Sequence, residues 1–182
     1  APKLASVAKE RVMYELSVVF SSNAFRTALD LLHRTALDEV LGIRPGAFHA
    51  DDVSFAGSLA LAGGDHLRWS HTLLREVATL RRLIDHHDRI ALYDAGEPVA
   101  SQLPALLRAV GRDDRLDLPD FSIRALLTGD EIVALTGVDR GPRLGAIKRA
   151  LLEAQIRGEV RTRDEAVTFV RDSVRNDRDS SH

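Results

Sequence analysis

Leu127-Thr-Gly-Asp-Glu-Ile-Val-Ala-Leu-Thr-Gly-Val-Asp-Arg-Gly-Pro-Arg-Leu-Gly145 is a run in which each local signal agrees with the next. Thr128 and Glu131 have the spacing of a capping box: the hydroxyl can accept from the amide three residues on, and the carboxylate can reach back. Ile132, Val133 and Leu135 supply the apolar side of a short helix, and Gly137 can end it in the left-handed conformation. Gly141-Pro142 restarts a helix, with Pro at the first helical position where no amide is missed. Gly158 ends that helix, and Thr162 with Glu165 spaces a second capping box. The pattern predicts three helices near 129–136, 142–157 and 163–175, joined by two tight turns.

Working outward, apolar residues recur at three and four through most of the chain, and no run alternates with period two. Helices are expected near 3–20, 23–41 with a break, 51–62, 70–93 and 98–109, so the fold class is all-α. Gly63-Gly64, Gly96-Glu97-Pro98 and Gly111-Arg-Asp-Asp114 are the breaks. The polar stretch from Gly111 to Pro119 reads as a linker between a body of helical hairpins and a small three-helix tail. The organisation read from this is 1–42 and 43–112 for the hairpins, 113–176 for the tail, and a disordered end at 177–182, which lacks apolar anchors.

Composition narrows the class. Of 182 residues, 45% are hydrophobic and 29% charged, as in ordinary globular proteins. No stretch is apolar enough to span a membrane, and no secretory signal is visible. The absence of Cys excludes disulfides and thiolate metal sites and fits a reducing, cytoplasmic setting. Net charge is −2, which argues against a basic coat over the whole surface. Residues 140–182 nevertheless carry 10 basic and 7 acidic side chains, against 15 and 20 in residues 1–139. That asymmetry has the sign expected of a tail that approaches a phosphate backbone. The chain opens inside a helical pattern without Met, which reads as part of a longer protein or as removal of Met before Ala1.

The tail resembles that of class II tRNA nucleotidyltransferases, the family of bacterial CCA-adding enzymes and poly(A) polymerases. Leu127, Gly129, Glu131, Ile132, Leu135, Gly137, Gly141-Pro142, Gly145 and Gly158 carry the likeness, followed by Asp164-Glu165-Ala166. Glu10-Arg11-Val12-Met13-Tyr14-Glu15-Leu16 is similar to the neck element of that family, and Ala28 to Leu41 to the short helices after it. Leu67 to Ser70 and Ile84 to His87 are similar, more weakly, to its middle. The chain departs where Ala36 replaces a common Gly, Gly42 a usual Pro, and Arg140 a frequent Pro.

The resemblance implies the end of the neck, the body and the tail of such an enzyme, with tRNA as partner and neither DNA nor membrane. The family's catalytic head, with its magnesium, CTP and ATP, has no counterpart in the sequence. Gly57-Ser58 is not followed by an Asp-x-Asp strand, and Asp177-Arg178-Asp179 lies in a polar end. No catalytic residue and no metal ligand is therefore assigned. Glu10 and Arg11 are expected to support the neck, which joins the head of the same parent chain.

Arg140, Gly141, Arg143, Gly145, Lys148 and Arg149 are the candidate RNA-binding residues. A helix start offers free amides to a phosphate without reading sequence, and these cations flank one. The plainer reading is that Gly141 turns the chain and Gly145 permits close helix packing. Two rival functions remain. His87-Asp88, with His86 beside it, could be a ligand pair of a metal-dependent phosphohydrolase, or a helix end where imidazoles meet carbonyls. The chain could also be a helical interaction domain without RNA. Trp69 could stack a base, but just before a capping Ser70 it more simply packs as a hydrophobic staple.

Overall fold

A computed structural model describes residues 9–21, 24–44, 46, 48–49, 51–64, 66–67 and 69–179, without the side chains of 9, 10, 21 and 176–179. Among the described residues there are eleven α-helices and no strand: α1 (Lys9–Ser21), α2 (Phe25–Arg34), α3 (Leu37–Leu41), α4 (Phe55–Ala62), α5 (His71–Asp85), α6 (Arg89–Ala95), α7 (Glu97–Ala100), α8 (Leu103–Ala109), α9 (Gly129–Thr136), α10 (Pro142–Arg157) and α11 (Arg163–Asp179). One antiparallel bridge joins Ile43 to Gly63. The chain forms two compact units, Ala1–Asp117 and Leu118–His182.

The first unit is built around α4. Its sequence is apolar on every side, and Ala56, Gly57, Ser58, Leu59, Ala60 and Ala62 are all buried. A helix of that kind must be covered, and α1 and α5 pack on it. Ser58 satisfies its hydroxyl by donating to the Phe20 carbonyl at 3.3 Å. A Cβ at Gly57 would stand 2.8 Å from Leu106 Cδ1, so this glycine admits α8. Phe20 and Phe25 meet edge to face with centroids 5.7 Å apart, closing the corner between α1 and α2. Arg81 on α5 donates from Nε to the Ala60 carbonyl at 3.1 Å and from Nη2 to the Leu59 carbonyl at 3.0 Å. It thereby adds a second donor to the Leu59 carbonyl, which also accepts from the Gly63 amide at 2.9 Å, and ties the last turn of α4 to α5.

Three elements differ from the sequence reading. The expected helix 70–93 is two helices, because Asp88 accepts from the Ala91 amide at 2.8 Å and starts α6 anew. That amide holds the Asp88 carboxyl below its usual range. The expected helix 98–109 is broken at Ser101 and Gln102. The helix expected from 51 begins at Phe55, capped by Ser54, while Asp51 accepts from the Arg26 amide at 2.8 Å. Ala24, at the start of α2, has no capping side chain; Asp51 does that work from 25 residues along the chain.

Ala36 is the only non-glycine with positive φ among the described residues, at φ 54° and ψ 27°. The left-handed region costs an L-residue about 1–2 kcal/mol. His33 and Asp38 bracket it, Nδ1 to Oδ2 at 2.7 Å, with the Asp38 carboxylate only 4% exposed. The hydrogen bond raises the His33 pKa and lowers that of Asp38. The pair thus holds a strained corner shut. Ala36→Gly should relieve the strain and stabilise the first unit by about 1 kcal/mol; a denaturation midpoint that falls or stays put in urea would contradict this.

The second unit is the three-helix tail that the caps predict. Leu127, Ile132, Ile147, Leu151, Ala154, Ala166 and Val170 form its buried core. Thr128 and Glu131 make their capping box. Thr162 and Glu165 make theirs, with the Thr162 amide 3.1 Å from the carboxylate and the Glu165 amide 3.3 Å from the hydroxyl. Gly137 and Gly158 end α9 and α10 at φ 68° and 78°. Helix α11 continues to Asp179, past Val174, the last buried residue among its described side chains. Residues 180–182, part of the end expected to be disordered, lie outside the described residues.

Candidate nucleic-acid interface

The six candidate residues come together at the beginning of α10. Gly141 takes the N-cap and Pro142 the first helical position, so the positive end of the helix dipole lies at this turn. Gly145 donates to the Gly141 carbonyl at 3.1 Å. Arg140, Gly141, Pro142, Arg143, Gly145, Lys148 and Arg149 are all exposed, while Ile147 and Leu151 of the same helix enter the core. The helix therefore turns a basic side with a bare backbone outward and an apolar seam inward.

Close packing does not account for the glycines. A Cβ at Gly141 or at Gly145 would meet nothing within 4 Å. The reading in which Gly145 admits a neighbouring helix finds no support within this unit: no group among its described residues stands there to be admitted. Gly inside a helix costs about 1 kcal/mol relative to Ala, and nothing around Gly145 in this unit offsets it.

The cations are not all uncommitted. Arg140 donates to Asp130 at 2.7 Å, with both side chains about four-fifths exposed (77% and 80%). Arg149 pairs with Glu153 at 2.7 Å, and Arg157 reaches the same carboxylate at 3.1 Å. Lys148 lies along Gly129, where an added Cβ would be 3.8 Å from its Cδ. Exposed pairs are worth about 0–1 kcal/mol, so a phosphate can replace Asp130 or Glu153 as partner. The spacing of four between Arg149 and Glu153 is visible in the sequence; the pairing of Arg140 with Asp130 across a turn is not.

Two polar residues that the sequence reading missed fix this end of the unit. Gln155, 8% exposed, donates from Nε2 to the Arg124 carbonyl at 2.9 Å and accepts from the Leu126 amide at 3.1 Å. It staples the segment before α9 onto α10. Arg163 pairs with Glu131 and donates to the Leu126 carbonyl at 3.1 Å. The Thr128 amide and then Arg163 pull the Glu131 pKa down to about 2. Arg163 is therefore a structural cation.

Elsewhere the chemistry-bearing residues serve the fold. Trp69 packs edge-on against Phe55 at 5.3 Å and donates to the Gly64 carbonyl at 2.9 Å. His87 Nδ1 lies 2.9 Å from the Leu83 carbonyl, and its Nε2 faces Asp114 at 3.4 Å. With Asp88 capping α6, both members of the doublet make hydrogen bonds within the first unit. Among the described residues no group of three or more His, Cys, Asp or Glu is placed to hold a metal ion. Gly57-Ser58 is interior to α4. The side chains of Asp177 and Asp179, like that of Glu10, lie outside the described residues; Arg11 is exposed on α1. No helix among the described residues is long and apolar enough to cross a membrane.

Comparison with known proteins gives two partial likenesses. A stretch of 61 residues, 34% of this chain, is 49% identical to the CC-adding tRNA nucleotidyltransferase of Thermus thermophilus. One of 45 residues, 25% of the chain, is 53% identical to the A-adding tRNA nucleotidyltransferase of Deinococcus radiodurans. The matched stretches span 14% and 10% of those two enzymes. No family model matches the chain, and no solved structure matches it.

Proposed function

We propose that this chain is the neck-end, body and tail portion of a template-independent tRNA nucleotidyltransferase, and that its tail grips tRNA through backbone phosphates. The observation that carries the reading is the outward face of α10. Arg140, Arg143, Lys148 and Arg149 line the first two turns of a helix at whose Gly141 and Gly145 an added Cβ would meet nothing within 4 Å among the described residues. The partial identity to a CC-adding and an A-adding enzyme supplies the substrate class. A nucleic-acid strand can approach a bare helix backbone more closely than one screened by Cβ atoms, and the positive end of the helix dipole adds to the cations. Chemistry belongs, on this proposal, to a head outside the sequence, where magnesium and the nucleoside triphosphate are held. Glu10 and Arg11 support that junction. A cytoplasmic location accompanies the proposal.

Phosphate contacts position a strand without reading it. Binding should thus be steep in salt and nearly indifferent to tRNA identity. Each neutralised phosphate contributes roughly 0.9 to the slope of log affinity against log salt on a duplex. Replacing Arg143, Lys148 and Arg149 together by Ala should flatten the slope by about two to three units and weaken binding at low salt by roughly 10- to 100-fold. A salt titration of tRNA binding by the two proteins decides it. Equal affinities and equal slopes would favour a helical interaction domain without an RNA role. The metal phosphohydrolase reading has no further support, because His87 and Asp88 are bound to the fold.

A further inference from the structure

Residues 111–117 leave α8 and run over the end of α5 with little apolar anchorage. Arg112 donates from Nη1 to the Ile84 carbonyl and from Nη2 to Asp114. Asp114 also faces His87 Nε2 at 3.4 Å, and Asp117 faces Arg89 Nη1 at 3.6 Å. An open pocket of about 180 Å³ lies along the segment, lined by Pro104, Leu107, Arg112, Asp114 and Leu116. Beyond the turn in which the Arg112 amide donates to the Leu107 carbonyl at 2.8 Å, the segment is held by charged side chains, at groups between 17% and 76% exposed. The second unit starts at the next residue, Leu118.

We infer that 111–117 is an electrostatic strap that sets the length of the tether between the two units. Seated, it leaves no free chain before Leu118. Released, residues 112–117 add up to roughly 20 Å of reach, at about 3.3–3.6 Å per residue. Tether length fixes the effective concentration at which one unit meets whatever the other holds. The strap thereby tunes bivalent engagement through ionic strength, or through a polyanion that competes for Arg112 and Arg89. The inference stands whether or not the ligand is tRNA.

Asp114→Asn with Asp117→Asn removes the two strap carboxylates that pair with His87, Arg112 and Arg89 at nearly constant shape, from positions outside the core. Trypsin cleavage after the exposed Arg115 reads the release directly, since a protease needs a mobile stretch. Cleavage should be about tenfold faster in the double variant than in the parent. In ~1 M salt, where the screening length falls to about 3 Å, the parent should approach the variant and the variant should change little. The chain has no Cys, so Thr72→Cys and Asp172→Cys, both at exposed sites, can carry a dye pair. The distribution of inter-dye distances should broaden on release. Equal cleavage rates in parent and variant, or a distance distribution indifferent to both salt and substitution, would overturn the strap. So would faster cleavage accompanied by loosening of α5 and α8, which would make the segment an ordinary part of the first unit.

Discussion

Replacing Gln155 by Leu destabilises the second unit by about 2–4 kcal/mol, although the side chain keeps its volume and becomes more apolar. The substitution strips the Leu126 amide of its acceptor and the Arg124 carbonyl of its donor. Both bonds are part-buried, and a group left unpaired away from water costs about 1–3 kcal/mol, which exceeds the gain from burying the added apolar surface. The loss falls on the segment leading into α9. Helicity measured by circular dichroism should therefore show an earlier transition in urea. Trp69 is the only tryptophan and lies in the first unit, so its fluorescence is an internal control that should not move. A stability unchanged within about 0.5 kcal/mol would mean that water, not Gln155, satisfies those backbone groups.

Arg81→Met reverses the control. The new side chain keeps part of the apolar stem but removes the two donations to Leu59 and Ala60. Hydrogen bonds from a charged group are worth about 1.5–3 kcal/mol, and these join α4 to α5, two packed helices of the first unit. Trp69 fluorescence should report an unfolding transition lower by about that amount, with the transition of the second unit unmoved. Arg81→Lys should recover only part of the loss, because an ammonium cannot present the planar fork that reaches both carbonyls. Full recovery by Lys would show that charge at the helix end, not the bidentate geometry, is what matters.

The tail was legible residue by residue because its signals are local. A capping box acts over three residues, a left-handed glycine over one turn, and a helix-starting proline at a single position. Thr128 with Glu131, Gly137, Pro142, Gly158 and Thr162 with Glu165 all act within that range, and so the boundaries of α9 and α10 and the start of α11 follow from the sequence, whereas the end of α11, expected near 175, lies at Asp179. The same locality brought the six α10 residues together, since neighbours on one helix start are neighbours in space. Where the reading ran helices together, at 86–88 and 101–102, the apolar period continues across the break. Only the cap formed by Asp88 interrupts the first.

Other features depend on partners far apart in sequence, and only the tertiary structure decided them. Asp51 caps a helix that begins at Phe25, Arg81 caps the end of α4, and Gln155 pins residues 124 to 126. Each is a polar group whose partner is chosen by packing, not by spacing, so no periodicity announces it. Gly145 shows the division most clearly. The sequence makes an interior helical glycine conspicuous but allows two reasons for it, a neighbouring helix or an approaching ligand. The tertiary structure weighs against the first, because a backbone left bare costs helix stability and nothing among the described residues of this unit approaches closely enough to need the room.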